Sequence, residues 1–499
     1  MSSSVKHPTV YQINTRVWLR KLGHGKPTGL SDVPAEYWGK LRKEGVDYVW
    51  LMGIWKTTQS SIAEYCFHPD LQKAYTFTNP DWKPEDVGGS PYAIEDYIVD
   101  DSIGTIEELQ DLRTELSKHN IGLILDFIPN HFNAHSSLVE KQPELFIRVD
   151  KSKYSQDPYT FYERSDHYFA HGKDPYFPAW TDTVQLNYFD ENAHQFMLEK
   201  LRQLTEVCDG VRCDMAMLLL PDVLKQTWGY LFRSDPKNFW STSVKEVKDI
   251  SPNFLFIAEA YWGKQYELQQ LGFDYAYDKA TLDHLTSNDI GTLSQHLQAD
   301  LSYQEKLVRF IENHDEQRSL TSLGETRSRA AATIVSTLPG MKLVHDGQWS
   351  GLRKKSPVQL TLPPEEHHCL CPLIQDLTNE PAVGCTCQSF FYRRLNTAIN
   401  DEIIKEGHWH WLSATSPELL AWQMSWKGET VLILVNYSDE LIKATVPSIV
   451  LKSGQIRFRD ILNNQPTDWI THNAQDSSAI DVIMAPFKSA ILKIDYKSN

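Results

Sequence analysis

Four short stretches of the 499-residue chain carry side chains that could do acid–base or nucleophilic work. They are Asp126-Phe-Ile-Pro-Asn130-His131, Arg212-Cys-Asp214, Glu259-Ala-Tyr261-Trp262 and Glu312-Asn313-His314-Asp315-Glu316. Each alone reads as a helix cap or a buried structural residue, since Asp is a preferred cap. Together they are harder to set aside, because each follows a short apolar run and each delivers a carboxylate. Like charges gathered on one rim repel and cost stability, which makes sense where chemistry needs them. Several carboxylates with an Arg, two His and no metal-ligand spacing suit glycoside cleavage. One carboxylic acid protonates the leaving oxygen while a carboxylate attacks or stabilises an oxocarbenium-like centre. Arg212, two residues before Asp214 on an extended strand, shares its face and can hold it ionised. Glu259, beside Ala260, Tyr261 and Trp262, is the group whose pKa desolvation could raise for acid work.

The elements that must position these residues follow one rhythm over the first 350 positions: buried strand, loop, amphipathic helix. Expected strands are 10–14, 47–53, 122–127, 210–215, 254–260, 273–277, 307–313 and 342–345, short and continuously apolar, as strands covered on both faces should be. Eight of them predict an α/β fold, a (β/α)8 TIM barrel with its site at the C-terminal strand ends. Thr105 and Glu108 form a capping box ahead of a stripe of Ile106, Leu109, Leu112 and Leu116. Met197, Leu201 and Leu204 make a second stripe, and 330–338 reads as a helix stopped by Pro339-Gly340. The barrel is expected from 1–131 and 210–350, with an excursion domain at 132–209 after the third strand. A Cys-containing insertion is expected at 351–417. The alternating pattern of 419–426, 430–436, 442–446 and 490–494 predicts a C-terminal antiparallel β-sandwich over 418–499.

Composition narrows the function classes. With 41% apolar and 23% charged residues the chain is globular, not disordered. No apolar run reaches the roughly 18 residues of a membrane helix, so no membrane partner is expected. A net charge of −16 disfavours nucleic acid as a partner. The stretch Met1–Pro8 lacks the apolar centre of a signal peptide, and the expected compartment is the cytoplasm, where free thiols or metal ligands are favoured over disulfides.

The four stretches resemble, in order and spacing, the four signature regions of the α-amylase family, family 13 of the glycoside hydrolases. The resemblance covers about residues 8–350 and the C-terminal β domain. It implies Asp214 as nucleophile, Glu259 as general acid/base and Asp315 as transition-state stabiliser. It implies Arg212 as the residue orienting the nucleophile, His131 and His314 as binders of the sugar at the cleavage point, and Asp126 as the buried supporting carboxylate. Ser90-Pro-Tyr92 is similar to the family segment whose tyrosine stacks under the sugar. The implied substrate is an oligosaccharide or small glucoside, and no cofactor is required for catalysis. Asn130 matches a position that binds calcium in some members; calcium is left open, because no convincing set of partner carboxylates accompanies it.

The chain also departs from the family pattern. Lys and His commonly follow the nucleophile in starch-degrading members, but here Met215, Ala216, Met217 and Leu218 follow Asp214, so an apolar acceptor side is expected. Nine aromatics fall within 161–189; most are expected to staple a small domain that lacks its own core, with one or two, such as Trp180, facing the cleft. Four of the seven cysteines, Cys369, Cys371, Cys385 and Cys387, form two Cys-x-Cys pairs that could hold a structural zinc or an iron–sulfur cluster. Three readings stand. The first is a retaining α-glycoside hydrolase acting on short α-glucans or small α-glucosides. The second is an α-glucan or sucrose-type transglycosylase using the same intermediate. The third is a non-catalytic carbohydrate-binding homologue.

Overall fold

A computed structural model describes residues 5–24, 26, 28–366, 387–447, 453–468, 470–472 and 479–497. Eight parallel strands close a barrel: Thr9–Asn14, Tyr48–Met52, Gly122–Phe127, Gly210–Cys213, Leu255–Ala258, Tyr275–Tyr277, Leu307–Arg309 and Met341–His345. Each strand pairs with its sequence neighbours, and the first closes on the eighth with Thr9 opposite Lys342. This order sets the fourth and fifth strands across the barrel from the first and eighth. The strand residues are almost all buried, as their unbroken apolar runs require.

Several strands stop earlier than the apolar runs suggest. The fourth ends at Cys213 instead of Met215, the fifth at Ala258 instead of Ala260, and the seventh at Arg309 instead of Asn313. The residues beyond these points leave the ladder and turn their side chains over the rim. The chemistry-bearing residues of those runs therefore sit in the loops just past the strand ends.

The helices form where the caps call for them. Thr105 accepts from the Glu108 backbone and Glu108 returns a bond to the Thr105 N–H, starting the helix Ile106–Lys118, which buries Leu109, Leu112 and Leu116. Met197, Leu201 and Leu204 face the core from the helix Glu191–Val207, which leads into the fourth strand. That helix lies within 132–209, so the excursion proper closes at about Asp190. It consists of the antiparallel pair His131–Asn133 with Thr183–Gln185 and a three-stranded sheet of Arg148–Val149, Phe161–Arg164 and His167–Ala170. Phe161, Phe169 and Tyr188 are buried and staple this small unit to the barrel core.

After the eighth strand, residues 351–366 wrap the barrel rim. Gly88 donates to the Gln359 carbonyl, Thr361 donates to the Asp86 carbonyl, and Leu360 is buried beneath them. The C-terminal unit is a seven-stranded antiparallel sheet and a two-stranded sheet, Ile442–Val446 with Ile480–Met484, enclosing Leu412, Leu432, Leu434, Val446, Ile456 and Ile494. Its first strand, His408–Leu412, pairs with Leu419–Trp426, so the sheet begins ahead of the boundary expected at 418. The alternation His408-Trp-His-Trp-Leu412 sets one apolar face inward, which explains why this strand belongs to the sheet. Tyr437 donates to the Leu285 carbonyl at 3.0 Å and ties this unit to the barrel.

Candidate active site

The rim residues converge on Arg212. Its guanidinium is buried at 1% exposure and lies over Trp50, Tyr92 and Tyr277, with ring centroids 5.2–5.7 Å away. Nη1 donates to Asp214 Oδ1 at 2.7 Å and stands 3.5 Å from Asp126 Oδ1. Nη2 pairs with Glu259 Oε2 at 2.8 Å. One cation from the fourth strand thus serves three carboxylates delivered by the third, fourth and fifth strands. A guanidinium suits this because its planar fork offers donors in fixed directions.

Three buried carboxylates around one cation cannot all ionise freely. Burial pushes Glu259 up to about 7, with Arg212 opposing and the charges of Asp214 and Asp315 adding to the rise. Burial likewise pushes Asp126 up to about 7 against the pull of Arg212. Burial raises Asp214 too, with Arg212 countering both by its charge and by its hydrogen bond. Glu259 is further held by the Met215 backbone N–H at 2.7 Å on Oε2 and by the Tyr261 hydroxyl at 2.9 Å on Oε1. Its surroundings are therefore not merely apolar: Tyr261, expected only to desolvate the carboxyl, donates to it.

Asp315 stands at the mouth with its side chain half-exposed. Desolvation acts to raise it, but the imidazole of His314, with Arg212 and Lys355 behind, holds it well below the usual carboxylate range. His314 Nε2 is 3.0 Å from Asp315 Oδ2 and 2.6 Å from the Tyr92 hydroxyl, and Gln12 Nε2 reaches Nδ1 at 2.6 Å. The Tyr92 ring stacks on His314 with centroids 5.3 Å apart. His131 Nε2 reaches the Tyr92 carbonyl at 3.1 Å, and burial lowers its imidazole to about 4, so it is neutral near pH 7. The structure brings all eight expected residues, Tyr92, Asp126, His131, Arg212, Asp214, Glu259, His314 and Asp315, onto one rim. Gln12, Trp50, Tyr261 and Tyr277 join them. Their sequence signal was weak: a polar or aromatic residue in or beside a strand reads equally as core.

One expectation is corrected. Ala216, Met217 and Leu218 do not line an acceptor face; they are buried in the turn Ala216–Leu219, where Trp240 Nε1 donates to the Ala216 carbonyl. Met215 alone is partly exposed, in a left-handed conformation at φ 42° that presents its N–H to Glu259. Trp180 lies beside the site, its ring 5.4 Å from His131, while Tyr176, Phe177 and Trp262 are the more exposed rings. Trp262 and Tyr176 meet edge to face at 4.9 Å.

Asn130 does not offer a donor set suited to a hard cation. Its side-chain oxygen and its carbonyl each accept from Gln185 Nε2 at 2.9 Å, and Asn130 Nδ2 donates back to Gln185 Oε1 at 3.2 Å. Both Asn130 oxygens are thus taken by an amide donor, whereas calcium is bound through oxygen ligands turned toward it. Among the described residues, no group of three His, Cys, Asp or Glu side chains is placed to hold a metal ion. Cys369, Cys371 and Cys385 lie outside the described residues, and Cys387 caps the helix Gln388–Ile399.

The family model of the α-amylase catalytic domain matches residues 36–370. The chain belongs to the α-amylase family. It is 27% identical over 184 residues to "Alpha-amylase MalA" of Haloarcula japonica, covering 35% of this chain and 25% of that protein. It is 22% identical over 292 residues to "Alpha-amylase 3" of Dictyoglomus thermophilum, covering 53% and 54%. The chain thus spans about a quarter and about half of the lengths of these curated relatives. Among solved structures, the noncanonic maltogenic α-amylase AmyB of Thermotoga neapolitana superposes with a TM-score of 0.69 at 19% identity, over 98% of this chain and 99% of that one. The α-amylase of Geobacillus thermoleovorans, solved with acarbose, gives 0.68 at 16% identity over 100% of both chains. These two likenesses establish the shared fold. Among the described residues, no helix is long and apolar enough to cross a membrane.

Proposed function

We propose that this α-amylase-family glycosidase is a retaining hydrolase of short α-glucans or small α-glucosides, working through a covalent glycosyl-enzyme intermediate. The observation that carries the reading is the double grip of Arg212 on Asp214 and Glu259. Carboxyls bound to the two terminal nitrogens of one guanidinium stand close together. That supports the separation of about 5 Å used for retention over the roughly 6.5–9.5 Å that accommodates an attacking water.

In this reading Tyr92 supports the sugar ring from below, while His314 and Asp315 take its hydroxyls. Glu259, pushed up to about 7, keeps its proton near neutrality and gives it to the glycosidic oxygen. Asp214, paired with Arg212, attacks the anomeric carbon, and the leaving sugar departs. Glu259, now ionised, takes a proton from water, which attacks the same carbon and releases Asp214. Asp126 supports Arg212 from beneath and accepts from Trp50 Nε1 at 3.2 Å.

The exposed Trp262–Tyr176 pair favours a second reading, transfer to a sugar acceptor. Trp262 follows Glu259 by three residues on the leaving-group side, and sugar C–H faces stack on such rings. Incubation with maltose, maltotriose, sucrose, trehalose and glycogen, read by product chromatography, separates the two. Glucose as the end product supports hydrolysis, and products longer than the substrate support transfer. A chain that cleaves none of them is a binding homologue, a reading disfavoured by the three carboxylates being in place.

A further inference from the structure

Beside the catalytic rim, and sharing His314 with it, lies a small, partly open recess of about 70 Å3, room for one compact group of a bound sugar and not for a whole ring. Its walls come from the ends of the first, seventh and eighth strands and from the 351–366 wrap. They include Asn14, Lys21, Arg318, His345, Asp346 and Lys355. The barrel order sets this recess across the rim from Glu259. Since Glu259 protonates the departing group, the recess receives the part of the substrate that stays on the enzyme side of the broken bond.

The lining is rich in donors. The Lys21 ammonium, in the last turn of the helix Thr15–Leu22, has no hydrogen-bond or ion-pair partner among the described residues. Lys355 donates to the Asp315 backbone carbonyl and keeps two further N–H groups. Arg318 is engaged with Glu312 at 2.7 Å, so its charge is already matched. Arg318 Nη1 also donates to His345 Nδ1 at 3.0 Å, which leaves His345 Nε2–H as a donor from a neutral imidazole. Burial holds that imidazole well below its usual value. The single carboxylate, Asp346, accepts from the Tyr11 hydroxyl at 2.6 Å. Lys21 and Lys355 thus both line one recess, and Lys355 stands on a segment pinned by the Gly88 and Thr361 backbone bonds. A neutral glucose ring, whose hydroxyls both donate and accept, does not need two ammonium groups there. In a chain of net charge −16, an uncommitted lysine beside a carboxylate-rich site is a local reversal of sign.

We propose that this recess binds an anionic group, a phosphate monoester or a carboxylate, on the retained sugar or on the sugar next to it, and so selects acidic α-glucosides. The proposal rests on the hydrolase reading and names its substrate class. Charge-assisted bonds to both lysines then fix the register of the retained sugars over Tyr92 and Asp315.

The test compares kcat/KM for 4-nitrophenyl α-glucoside and α-maltoside with their terminal 6-phosphates and with the matching uronides. The wild-type enzyme is expected to favour at least one anionic form over its neutral counterpart by about tenfold or more, about 1.4 kcal/mol. The phosphate and carboxylate arms show which anion is read. Lys21→Ala and Lys21→Gln should abolish most of that preference while changing the neutral substrates by less than about twofold, and added salt should lower it in the wild type. Turnover of neutral glucosides without anionic preference, or equal losses on both classes in the Lys21 variants, overturns the proposal and leaves the hydrolase reading standing. Failure to turn over any α-glucoside or glucan overturns both.

Discussion

Arg212 Nη2 lies 2.8 Å from Glu259 Oε2, so the arginine that orients the nucleophile also grips the acid/base carboxyl. It stabilises the ionised forms of both acids against the desolvation that raises them. Replacing Arg212 by Met removes that pull, and both carboxyls should rise further. Asp214 is then harder to ionise. We expect kcat/KM at pH 7 to fall by about two orders of magnitude or more, on the scale of positioned acid–base groups. The acidic limb of the pH profile should move upward. A variant with an unshifted profile would contradict the double role.

The pH dependence of the wild type follows from Glu259. With its carboxyl at about 7, the protonated acid is lost as pH rises through that value, so kcat/KM should decline on the alkaline side. Glu259→Gln should lose this limb and be impaired less on 4-nitrophenyl glucosides, whose leaving group needs little protonation. Steady-state profiles on natural and activated substrates check both points. Equal impairment on the two classes would exclude Glu259 as the acid.

Asp126 makes a stability prediction. Its folded-state value of about 7 stands above the roughly 3.9 of an unfolded chain. The folded protein therefore binds more protons between those values. Its contribution to stability is full below about pH 4 and is lost as pH rises through 7. Asp126→Asn should flatten the fall in Tm across that window. An unchanged slope by calorimetry would show that Asp126 is ionised in the folded state.

The rim was largely legible in the sequence because chemistry at a barrel mouth needs polar residues just after apolar runs, and Asp126, Asp214, Glu259 and Asp315 stand there in sequence. The eight strands were legible for the same reason of unbroken burial. What was not legible were contacts made across the fold. Tyr261 reads as an apolar neighbour until its hydroxyl is seen on Glu259. Met217 and Leu218 read as a lining until the turn folds them inward. His408–Leu412 was missed as a sheet strand because its short alternating run lies inside the long interval after the barrel.

The reciprocal amide pair of Asn130 and Gln185 bears on metal dependence. Its groups satisfy one another at the base of the excursion, where calcium would need free oxygens. We expect calcium added back after dialysis against a chelator to leave Tm unchanged. Gln185→Ala should destabilise the protein by about 1–3 kcal/mol, the cost of leaving buried polar groups unpaired. A rise in Tm on adding calcium back would refute the amide pair as a stand-in for the ion.

Tyr261→Phe should lower kcat/KM by about three- to tenfold, the loss of one hydrogen bond worth about 0.5–1.5 kcal/mol, with the fold unchanged by circular dichroism. A loss shared equally by Glu259→Gln and the double variant places the effect on Glu259. Additive losses would assign Tyr261 a separate role.

The central claim, that Asp214 forms a covalent bond to the sugar, is tested most directly by trapping it. Glu259→Gln lacks the base for deglycosylation, so with α-glucosyl fluoride it should accumulate the intermediate. Peptide mapping by mass spectrometry should find one glucosyl residue on the Asp214 peptide. A glucosyl group mapped to another residue, or fluoride release without any adduct, would contradict the account.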